Sequence, residues 1–300
     1  MRILLFGKNG QVGWELRRTL KSLGEVRAVD FPEIDFLDLA ALRVFTLDAQ
    51  PDLIVNAAAY TAVDQAESEP EIAMTINAEA PGVLAKIAKD LNIGLVHYST
   101  DFVFNGLKGV PYTEEDEPNP LNVYGASKLA GDSAIQGSGC WHLILRTSWV
   151  YGTRGKNFYL TMLRLARERE EIRVVDDQIG SPTWSRSIAA ATEAILKIGF
   201  RPDKDRLGWG DEIPSGVYNY SSSGSTSWYG FAEEILRNDP ESQEHVVKRL
   251  VPISTEAFGA IAVRPAYSEL SKDRLGNIFG IKPEGWQKQL EACSSSIAIN

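Results

Sequence analysis

A tyrosine and a lysine lie four residues apart in the segment NPLNVYGASKLAG, which spans residues 119–131. This spacing places Tyr124 and Lys128 on one face of a helix. A lysine ammonium beside a phenol stabilises the phenolate and lowers the tyrosine pKa. Such a tyrosine can donate a proton to a carbonyl oxygen while a hydride arrives at the carbonyl carbon. Because the spacing is common on exposed helices, the pair indicates catalysis only with support from the rest of the chain.

A hydroxyl group that could share the same carbonyl oxygen comes earlier in the chain. The apolar segment IGLVHYST is predicted to be a buried strand that ends with Ser99 and Thr100. The carboxyl ends of parallel strands face the ligand crevice of an open sheet. Thr100 could therefore hydrogen-bond a substrate carbonyl and orient it. A role as a turn-capping residue is the alternative.

Three glycines follow the first predicted strand in ILLFGKNGQVGWEL. Gly7, Gly10 and Gly13 would allow a tight turn and a close approach of the backbone to a pyrophosphate. The N-terminus of the following helix adds free N–H groups and the positive end of its dipole. A glycine triplet alone is often a plain turn, but the flanking strand and helix favour a dinucleotide site.

An acidic residue ends the second predicted strand, EVRAVD. Asp30 is placed to accept hydrogen bonds from an adenine ribose, as in dinucleotide-binding folds. A carboxylate at this position should repel a 2′-phosphate. Taken alone, Asp30 therefore favours NADH over NADPH.

The alternation of apolar runs and amphipathic stretches predicts an α/β fold. Five buried strands separated by helices indicate a parallel sheet with right-handed crossovers, that is, a Rossmann-type doubly wound sheet. The segment PEIAMTINAEAPGVLAKIAKDLN is predicted to be one long helix with a kink at Pro81. The helix that carries Tyr124 is predicted to start at Asn119 and Pro120.

After Tyr151 the regular alternation ends, which predicts a smaller C-terminal lobe interleaved with the sheet. We expect residues 1–150 with parts of 184–222 to form an NAD(P)-binding domain. Residues 151–183 and 223–300 are expected to form the substrate lobe.

Composition excludes several classes of function. The 300 residues are 44% hydrophobic and carry a net charge of −9, so neither nucleic acid nor an anionic membrane is an expected partner. Cys140 and Cys293 are far apart, which suggests a reducing compartment rather than a disulfide framework. The apolar run from Ile3 to Phe6 is too short for a signal peptide, and we expect a cytoplasmic protein.

Several segments together resemble a known family. The motifs GKNGQVG, NAAAYTAVD, YSTDFVF, YGASKLAGD and RTSWVYG are similar to those of the extended short-chain dehydrogenase/reductase superfamily. Within it, the chain resembles the dTDP-4-dehydrorhamnose reductases over nearly its whole length, most densely over residues 1–185. The resemblance implies reduction of the C4 ketone of dTDP-4-dehydro-β-L-rhamnose, the last step of dTDP-L-rhamnose synthesis. The product is used in bacterial lipopolysaccharide, O-antigen and related polysaccharides.

The resemblance also implies roles for individual residues. Tyr124 would be the proton donor, Lys128 its pKa-tuning neighbour and a ribose ligand, and Thr100 the hydroxyl partner. The implied cofactor, NADPH or also NADH, would be bound by the following residues: Gly7, Gly10, Gln11, Val12, Asp30, Asp38, Leu39, Ala59, Tyr60, Thr61, Tyr98, Tyr124 and Lys128. The dTDP-sugar would be contacted by Thr100, Asp101 and Trp149.

Two charged positions bear on phosphate and metal binding. Arg264 could bind a substrate phosphate, cap a helix or pair with Glu269. Some family members are associated with Mg²⁺ and dimerisation through surface acidic residues, one of which Glu15 matches. Arg186 stands where another acid would be expected, so we predict no structural metal. The protein is expected to be a monomer or a homodimer.

Two other functions remain open at this stage. One is a related sugar-nucleotide enzyme, a 4-epimerase, 4,6-dehydratase or other ketosugar reductase. A dehydratase needs adjacent carboxylates, and STDFVFNG offers only Asp101. The other is a non-catalytic regulatory subunit, because the resemblance extends to a regulatory subunit of methionine adenosyltransferase. The intact set of Thr100, Tyr124 and Lys128 favours an enzyme.

Overall fold

The computed structural model of the chain describes residues 1–201, 206–207 and 213–297. Its strands are β1 (Arg2–Phe6), β2 (Glu25–Val29), β3 (Leu53–Asn56), β4 (Gly94–Thr100), β5 (Trp141–Thr147), β6 (Val150–Tyr151), β7 (Glu171–Val175), β8 (Ile179–Gly180), β9 (Thr183–Trp184), β10 (Phe200–Arg201), β11 (Arg206–Leu207), β12 (Gly216–Asn219), β13 (Thr226–Ser227) and β14 (Arg249–Ile253).

The α-helices alternate with the long strands in the first half of the chain. They are α1 (Gln11–Thr19), α2 (Leu39–Ala49), α3 (Val63–Ala66), α4 (Pro70–Met74), α5 (Ala80–Asp90), α6 (Val123–Ser138), α7 (Phe158–Glu168), α8 (Ser185–Gly199), α9 (Trp228–Arg237), α10 (Thr255–Phe258), α11 (Asp273–Phe279) and α12 (Trp286–Ile297). In the described part of the chain, no helix has the length and apolar character needed to cross a membrane.

The described strands form one main sheet of six in the order β12-β5-β4-β3-β1-β2. All neighbouring pairs in this sheet are parallel. The chain moves outward from β1 to β2 and then returns to the other side of β1 at β3. This reversal leaves a crevice at the carboxyl ends of β1 and β3, where ligands bind in folds of this type. The predicted Rossmann-type α/β fold is confirmed.

Apolar side chains cover both faces of the sheet. On one face, α1 and α8 pack against the strands through residues such as Leu16 and Ile188. On the other face, α2, α5 and α6 contribute residues such as Leu42, Leu84 and Ile135. The inner strands are therefore buried on both faces, which explains their nearly continuous apolar sequences.

The helix α6 begins at Val123, three residues later than Pro120. The Asn122 side chain accepts a hydrogen bond from the backbone N–H of Gly125 at 2.7 Å and caps the helix. The prediction that Asn119 and Pro120 start this helix was therefore wrong, because the better cap lies further along. Tyr124 is consequently the second residue of the helix and lies at the end that faces the crevice.

The predicted long helix around Pro81 is interrupted by a π-helical turn. Residues Thr75–Glu79 adopt this wider conformation between α4 and α5. Such turns occur frequently at functional sites. The turn lies against α6, where a Cβ atom on Gly131 would come within 2.1 Å of the Asn77 carbonyl oxygen. Only glycine permits this approach, which brings Asn77 next to the helix of Tyr124.

The C-terminal part of the chain builds a separate apolar cluster. It includes Tyr151, Tyr159, Phe231 and Trp286, which come from β6, α7, α9 and α12. The strands β7 and β14 pair in parallel beside it. The predicted domain division remains a prediction. Residues 202–205 and 208–212 of its first domain and 298–300 of its second lie outside the described residues.

Candidate active site

Tyr124 and Thr100 meet at the carboxyl end of β4. The Thr100 side chain lies near enough to the phenol to lower the pKa of Tyr124. A Cβ atom on Gly125 would lie 2.3 Å from the Phe102 carbonyl oxygen, so the absence of a side chain lets α6 approach the end of β4. The rings of Phe102 and Tyr124 pack edge to face at 5.6 Å. The structure thus brings together the phenol and the hydroxyl that the sequence paired.

The acidity of Tyr124 differs from the prediction. Burial raises the pKa of Tyr124 to about 12, the Thr100 side chain opposes this, and the charges of Asp101 and Asp132 add to it. The prediction that Lys128 lowers this pKa was wrong. The physical reason is that the Lys128 amine is engaged elsewhere, with the Tyr98 carbonyl oxygen at 2.7 Å. A phenol of this pKa keeps its proton at neutral pH and can donate it.

Lys128 is almost completely buried, with 2% of its surface exposed. Burial lowers the pKa of Lys128 to about 8, and the nearby Asp132 carboxylate opposes that shift. The second partner of its amine is the Nε2 atom of His97, at 3.1 Å. The sequence did not single out His97, and it carries no motif that marks it. It lies in an apolar strand where a buried histidine needs a polar partner.

Asp101, predicted to contact the sugar, is buried beside Thr100. The Thr100 hydroxyl donates to its Oδ1 at 3.2 Å, and the nearby Ser268 side chain acts to lower the pKa of this carboxyl group. Its Oδ2 is buried and has no hydrogen-bond partner among the described residues. Burial raises the pKa of Asp101 to about 7. Around neutral pH this carboxyl group can therefore donate as well as accept a hydrogen bond.

The glycine loop has the geometry of an anion cradle. Gly7 adopts a positive φ of 83°, and a Cβ on Gly13 would lie 1.9 Å from the Gly7 carbonyl oxygen. The helix α1 that follows has no side-chain cap and no acidic residue in its first turn. The backbone N–H groups near Gln11 and Val12 are thus available to an anionic ligand.

Asp30 lies where the sequence predicted, beside the glycine loop. Its Oδ2 accepts a hydrogen bond from the Asn9 backbone N–H at 2.9 Å, and its Oδ1 accepts one from Phe31. The carboxylate therefore braces the loop. Asp38 caps α2 by accepting from the Ala41 backbone N–H at 2.9 Å, and Leu39 is the first residue of that helix.

The segment Ala59–Thr61 follows β3 at the same edge of the sheet. The Tyr60 backbone N–H donates to Asn77 Oδ1 at 2.9 Å, and Asn77 Nδ2 donates back to the Tyr60 carbonyl at 3.0 Å. The Tyr60 hydroxyl donates to Glu69 at 2.6 Å. Sequence analysis missed Asn77, although a buried asparagine within an otherwise apolar helix was a visible signal.

Tyr98 contributes to the site through its backbone. Its side chain lies in the core and its hydroxyl hydrogen-bonds to Thr192 of α8 at 2.8 Å. Its carbonyl oxygen is the group that binds the Lys128 amine. The alternation of side chains along a strand explains why His97, and not Tyr98, faces α6.

Trp149 is held in an unusual backbone conformation, with a φ of 44°. Its indole stacks on the indole of Trp228 with ring centroids 3.6 Å apart. A Cβ on Gly180 would come within 2.4 Å of the Trp149 ring. Trp228 was not predicted. It lines a cavity of about 320 Å³ between α7, β7 and the C-terminal segment, together with Phe158, Thr161, Met162, Leu165, Arg173, Val174, Val175, Gln178, Phe258 and Arg264.

Arg264 forms a two-point ion pair with Asp64, with nitrogen–oxygen distances of 3.0 and 2.7 Å. Its suggested pairing with Glu269 was wrong, because Glu269 interacts with Tyr267 and Lys272 instead. The Asp64 pair joins the segment after β3 to the C-terminal part of the chain across the crevice.

Arg186 and Glu15, the two positions considered for a metal, form an ion pair at 3.5 Å. Within the described residues, no cluster of three or more histidine, cysteine, aspartate or glutamate side chains could hold a metal ion.

Comparison with known proteins identifies the family. The family profile described as RmlD substrate binding domain matches residues 1–299. A dTDP-4-dehydrorhamnose reductase from Burkholderia thailandensis is 48% identical over 296 residues, which cover 98% of each chain. The chain belongs to the dTDP-4-dehydrorhamnose reductase family. An Escherichia coli member is 41% identical over 96% of this chain and 95% of its own.

Solved structures agree with this assignment. A Bacillus anthracis dTDP-4-dehydrorhamnose reductase in complex with NADP superimposes with a TM-score of 0.88 at 35% identity, over 98% of this chain and 99% of that one. A Clostridium acetobutylicum dTDP-4-dehydrorhamnose reductase ortholog gives the same TM-score at 34% identity and covers 99% of this chain and 100% of its own. A Thermus thermophilus UDP-glucose 4-epimerase at 17% identity shares the fold alone.

Proposed function

We propose that the protein reduces the keto group at C4 of dTDP-4-dehydro-β-L-rhamnose to give dTDP-β-L-rhamnose, with NADPH as reductant. The observation that carries this proposal is the placement of Thr100 beside Tyr124, one helical turn from the buried Lys128, in a chain of this family. The reaction would complete dTDP-L-rhamnose biosynthesis and supply polysaccharides such as O-antigen.

The glycine loop fits a dinucleotide. A pyrophosphate would accept hydrogen bonds from the uncapped N–H groups of α1, next to the turn that only Gly7 and Gly13 permit. Asp30, Asp38 and Leu39 would line the adenosine. The segment Ala59–Thr61 and the Lys128 amine would contact the ribose and the nicotinamide. When bound, the cofactor supplies the hydride.

The side chains of this protein would supply the proton. Thr100 would orient the substrate carbonyl, and Tyr124 would donate its phenolic proton to the oxygen as negative charge develops there. The resulting phenolate is stabilised by any positive charge that Lys128 carries. Donation is favourable in this direction because Tyr124 holds its proton at neutral pH in the free protein.

The sugar nucleotide would lie between Asp101, Trp149 and the cavity of about 320 Å³. The aromatic side chains Phe158 and Trp228 suit a pyrimidine base, and Arg173 lies at the same cavity. Arg264 is close enough to this cavity to contact a phosphate while it remains paired with Asp64. Asp101 in its neutral form could donate a hydrogen bond to a sugar oxygen.

NADPH is the expected cofactor because the Bacillus anthracis relative is described as a complex with NADP. The preference for NADH that Asp30 suggested is weakened by the hydrogen bonds that its carboxylate accepts from the backbone N–H groups of Asn9 and Phe31. A carboxylate occupied by backbone N–H groups presents less free negative charge to a 2′-phosphate. We therefore expect NADPH to be used and NADH to be accepted.

The remaining features of the proposal follow from the family. Residues 1–150 with parts of 184–222 would bind the cofactor, and residues 151–183 with 223–300 would bind the sugar nucleotide. The protein would act in the cytoplasm as a monomer or a homodimer on a small dTDP-sugar.

The test is a reductase assay with dTDP-4-dehydro-β-L-rhamnose and added NADPH or NADH. We expect loss of reduced nicotinamide absorbance and formation of a product heavier by two hydrogens. Product formation without added NAD(P)H, by protein that carries bound NAD, would instead indicate an epimerase or dehydratase. Absence of turnover together with co-purification of a large partner would indicate a regulatory subunit.

A further inference from the structure

A chain of hydrogen bonds runs from β3 through β4 to the catalytic helix. Asn56 Nδ2 lies 3.1 Å from His97 Nδ1, and His97 Nε2 lies 3.1 Å from the Lys128 amine. The exposed fractions of these three residues are 1%, 0% and 2%. Because these side chains are buried, their polar atoms must be hydrogen-bonded to neighbouring protein groups.

The donor and the acceptor can be assigned at the Asn56 end of this series of hydrogen bonds. The Ala58 backbone N–H donates to Asn56 Oδ1 at 3.1 Å. A backbone N–H can only donate, so the amide oxygen must face Ala58 and the amide nitrogen must face His97. His97 Nδ1 therefore accepts a hydrogen bond. A neutral imidazole that accepts at Nδ1 carries its proton on Nε2.

The Nε2 proton then points at Lys128. An ammonium group has three donors and no acceptor, whereas an uncharged amine has a lone pair that can accept. We propose that His97 is a positioning residue that donates its Nε2–H to Lys128 and favours the uncharged amine in the cofactor-free protein.

Other groups around Lys128 are compatible with this assignment. The Tyr98 carbonyl accepts from either form of the amine. On α6, Asp132 is paired with Arg146 of β5 at 3.2 Å and also accepts from Ser99 of β4 at 3.0 Å. These partners offset part of its charge, and the rest favours the ammonium form of Lys128, against the larger effect of burial.

The remaining ionisable neighbours are Tyr124 on α6 and Asp101 after β4. Both are neutral or partly neutral around pH 7, because burial raises the pKa of each. Burial lowers the pKa of Lys128 to about 8 and that of His97 well below its usual value. The two lowered pKa values agree with a neutral His97 imidazole beside a Lys128 amine that loses its proton readily.

The consequence for catalysis rests on the proposed function. The ammonium form of Lys128 would stabilise the Tyr124 phenolate, and a donor at His97 Nε2 disfavours that form. The alkaline limb of the pH profile of kcat/KM should therefore lie at a lower pH than it would without this donor. A substitution that moves the His97 ring proton from Nε2 to Nδ1 should shift the alkaline limb to a higher pH.

The first test reads the histidine tautomer directly by ¹⁵N NMR of the cofactor-free protein. The chain contains three histidines, His97, His142 and His245, so the ring signals are few. His142→Gln and His245→Gln assign the His97 signals by elimination without disturbing the site. We expect the neutral Nε2–H form of His97 between about pH 6.5 and 8, at and above the ordinary pKa of a histidine. The Nδ1–H form or a charged ring would overturn the proposal.

The second test uses Asn56→Asp, which keeps the size of the side chain. A carboxylate can accept from both the Ala58 N–H and His97 Nδ1–H, which leaves Nε2 as an acceptor for the ammonium. We expect the NMR signals to change to the Nδ1–H form and the alkaline limb to shift upward by about one pH unit. An unchanged tautomer, or a uniform loss of kcat at every pH, would contradict the proposal. Because the NMR readout needs no turnover, this outcome is independent of whether the protein is a reductase.

Discussion

Asn77 donates a hydrogen bond to the Ser127 hydroxyl at 3.0 Å, and Ser127 in turn donates to the Tyr124 carbonyl at 2.8 Å. The same asparagine accepts a hydrogen bond from the Tyr60 backbone N–H and donates one to the Tyr60 carbonyl oxygen. The π-helical turn thereby ties the segment after β3 to α6, the helix of Tyr124. The two sides of the proposed nicotinamide site are connected through this one buried side chain.

Replacing Asn77 with alanine should loosen this connection. The Tyr60 backbone groups would lose their partners, and the free energy of unfolding should fall by about 1–3 kcal/mol. The KM for NADPH should rise because the Ala59–Thr61 segment is no longer fixed. Urea unfolding and steady-state kinetics measure the two effects. Asn238→Ala is the control, because the side chain of Asn238 bonds to Glu234 at the C-terminal end of α9. A variant with the wild-type KM for NADPH would show that the asparagine has no role in binding.

Gly13→Ala should weaken binding of the dinucleotide. The added methyl group would overlap the Gly7 carbonyl oxygen and displace the loop from α1. We expect the Kd for NADPH to rise at least tenfold, about 1.4 kcal/mol, in a fluorescence titration. Gly137→Ala is the matched control, since a Cβ there meets no neighbour within 4 Å and alanine favours the helix. Equal affinities for the two variants would rule out the glycine loop as the pyrophosphate site.

Asp101→Asn should change how stability depends on pH. The pKa of Asp101 is raised to about 7 by burial, so between roughly pH 4 and 7 the folded protein retains a proton that the unfolded chain has released. This contribution is complete below the unfolded pKa and is lost as the pH rises through the folded pKa. The stability of wild type relative to the variant should therefore fall by about 1 kcal/mol per pH unit across that window. Urea unfolding at several pH values measures the difference, and a difference independent of pH would contradict the neutral carboxyl group.

Gly180→Ala should disturb the stacked pair of Trp149 and Trp228. The new methyl group would collide with the Trp149 indole, and a stacked aromatic pair contributes about 1 kcal/mol. We expect the KM for the sugar nucleotide to rise roughly five- to tenfold, while the Kd for NADPH stays unchanged. A rise in the NADPH Kd of the same size would mean that the change acts on the whole fold and not on the sugar site.

The elements of the first half of the chain could be predicted because their signals are local. The apolar strands, the glycine spacing and the Tyr124–Lys128 interval are each contained in a short segment, and the structure places them together. Features that depend on contacts between distant segments could not be predicted from the sequence. The π-helical turn, the Trp149–Trp228 stack and the Asp64–Arg264 pair all depend on such contacts.

The acidity of Tyr124 could not be read from the spacing for the same reason. The sequence suggested that Lys128 lowers the tyrosine pKa, because the two share a helix face. The structure buries the phenol near Asp101 and Asp132 and directs the amine toward His97 and Tyr98. A pKa depends on the groups supplied by every element around it, and β4 was as important here as α6.

The most direct test of the central claim compares the wild type with Tyr124→Phe in the NADPH-dependent reduction of dTDP-4-dehydro-β-L-rhamnose. Loss of the proton donor should lower kcat by about 10²–10⁴-fold. The Kd for NADPH should stay within about threefold of the wild type, because the phenylalanine keeps the ring and its contact with Phe102. A Tyr124→Phe enzyme that reduces this substrate at the wild-type rate would contradict the account.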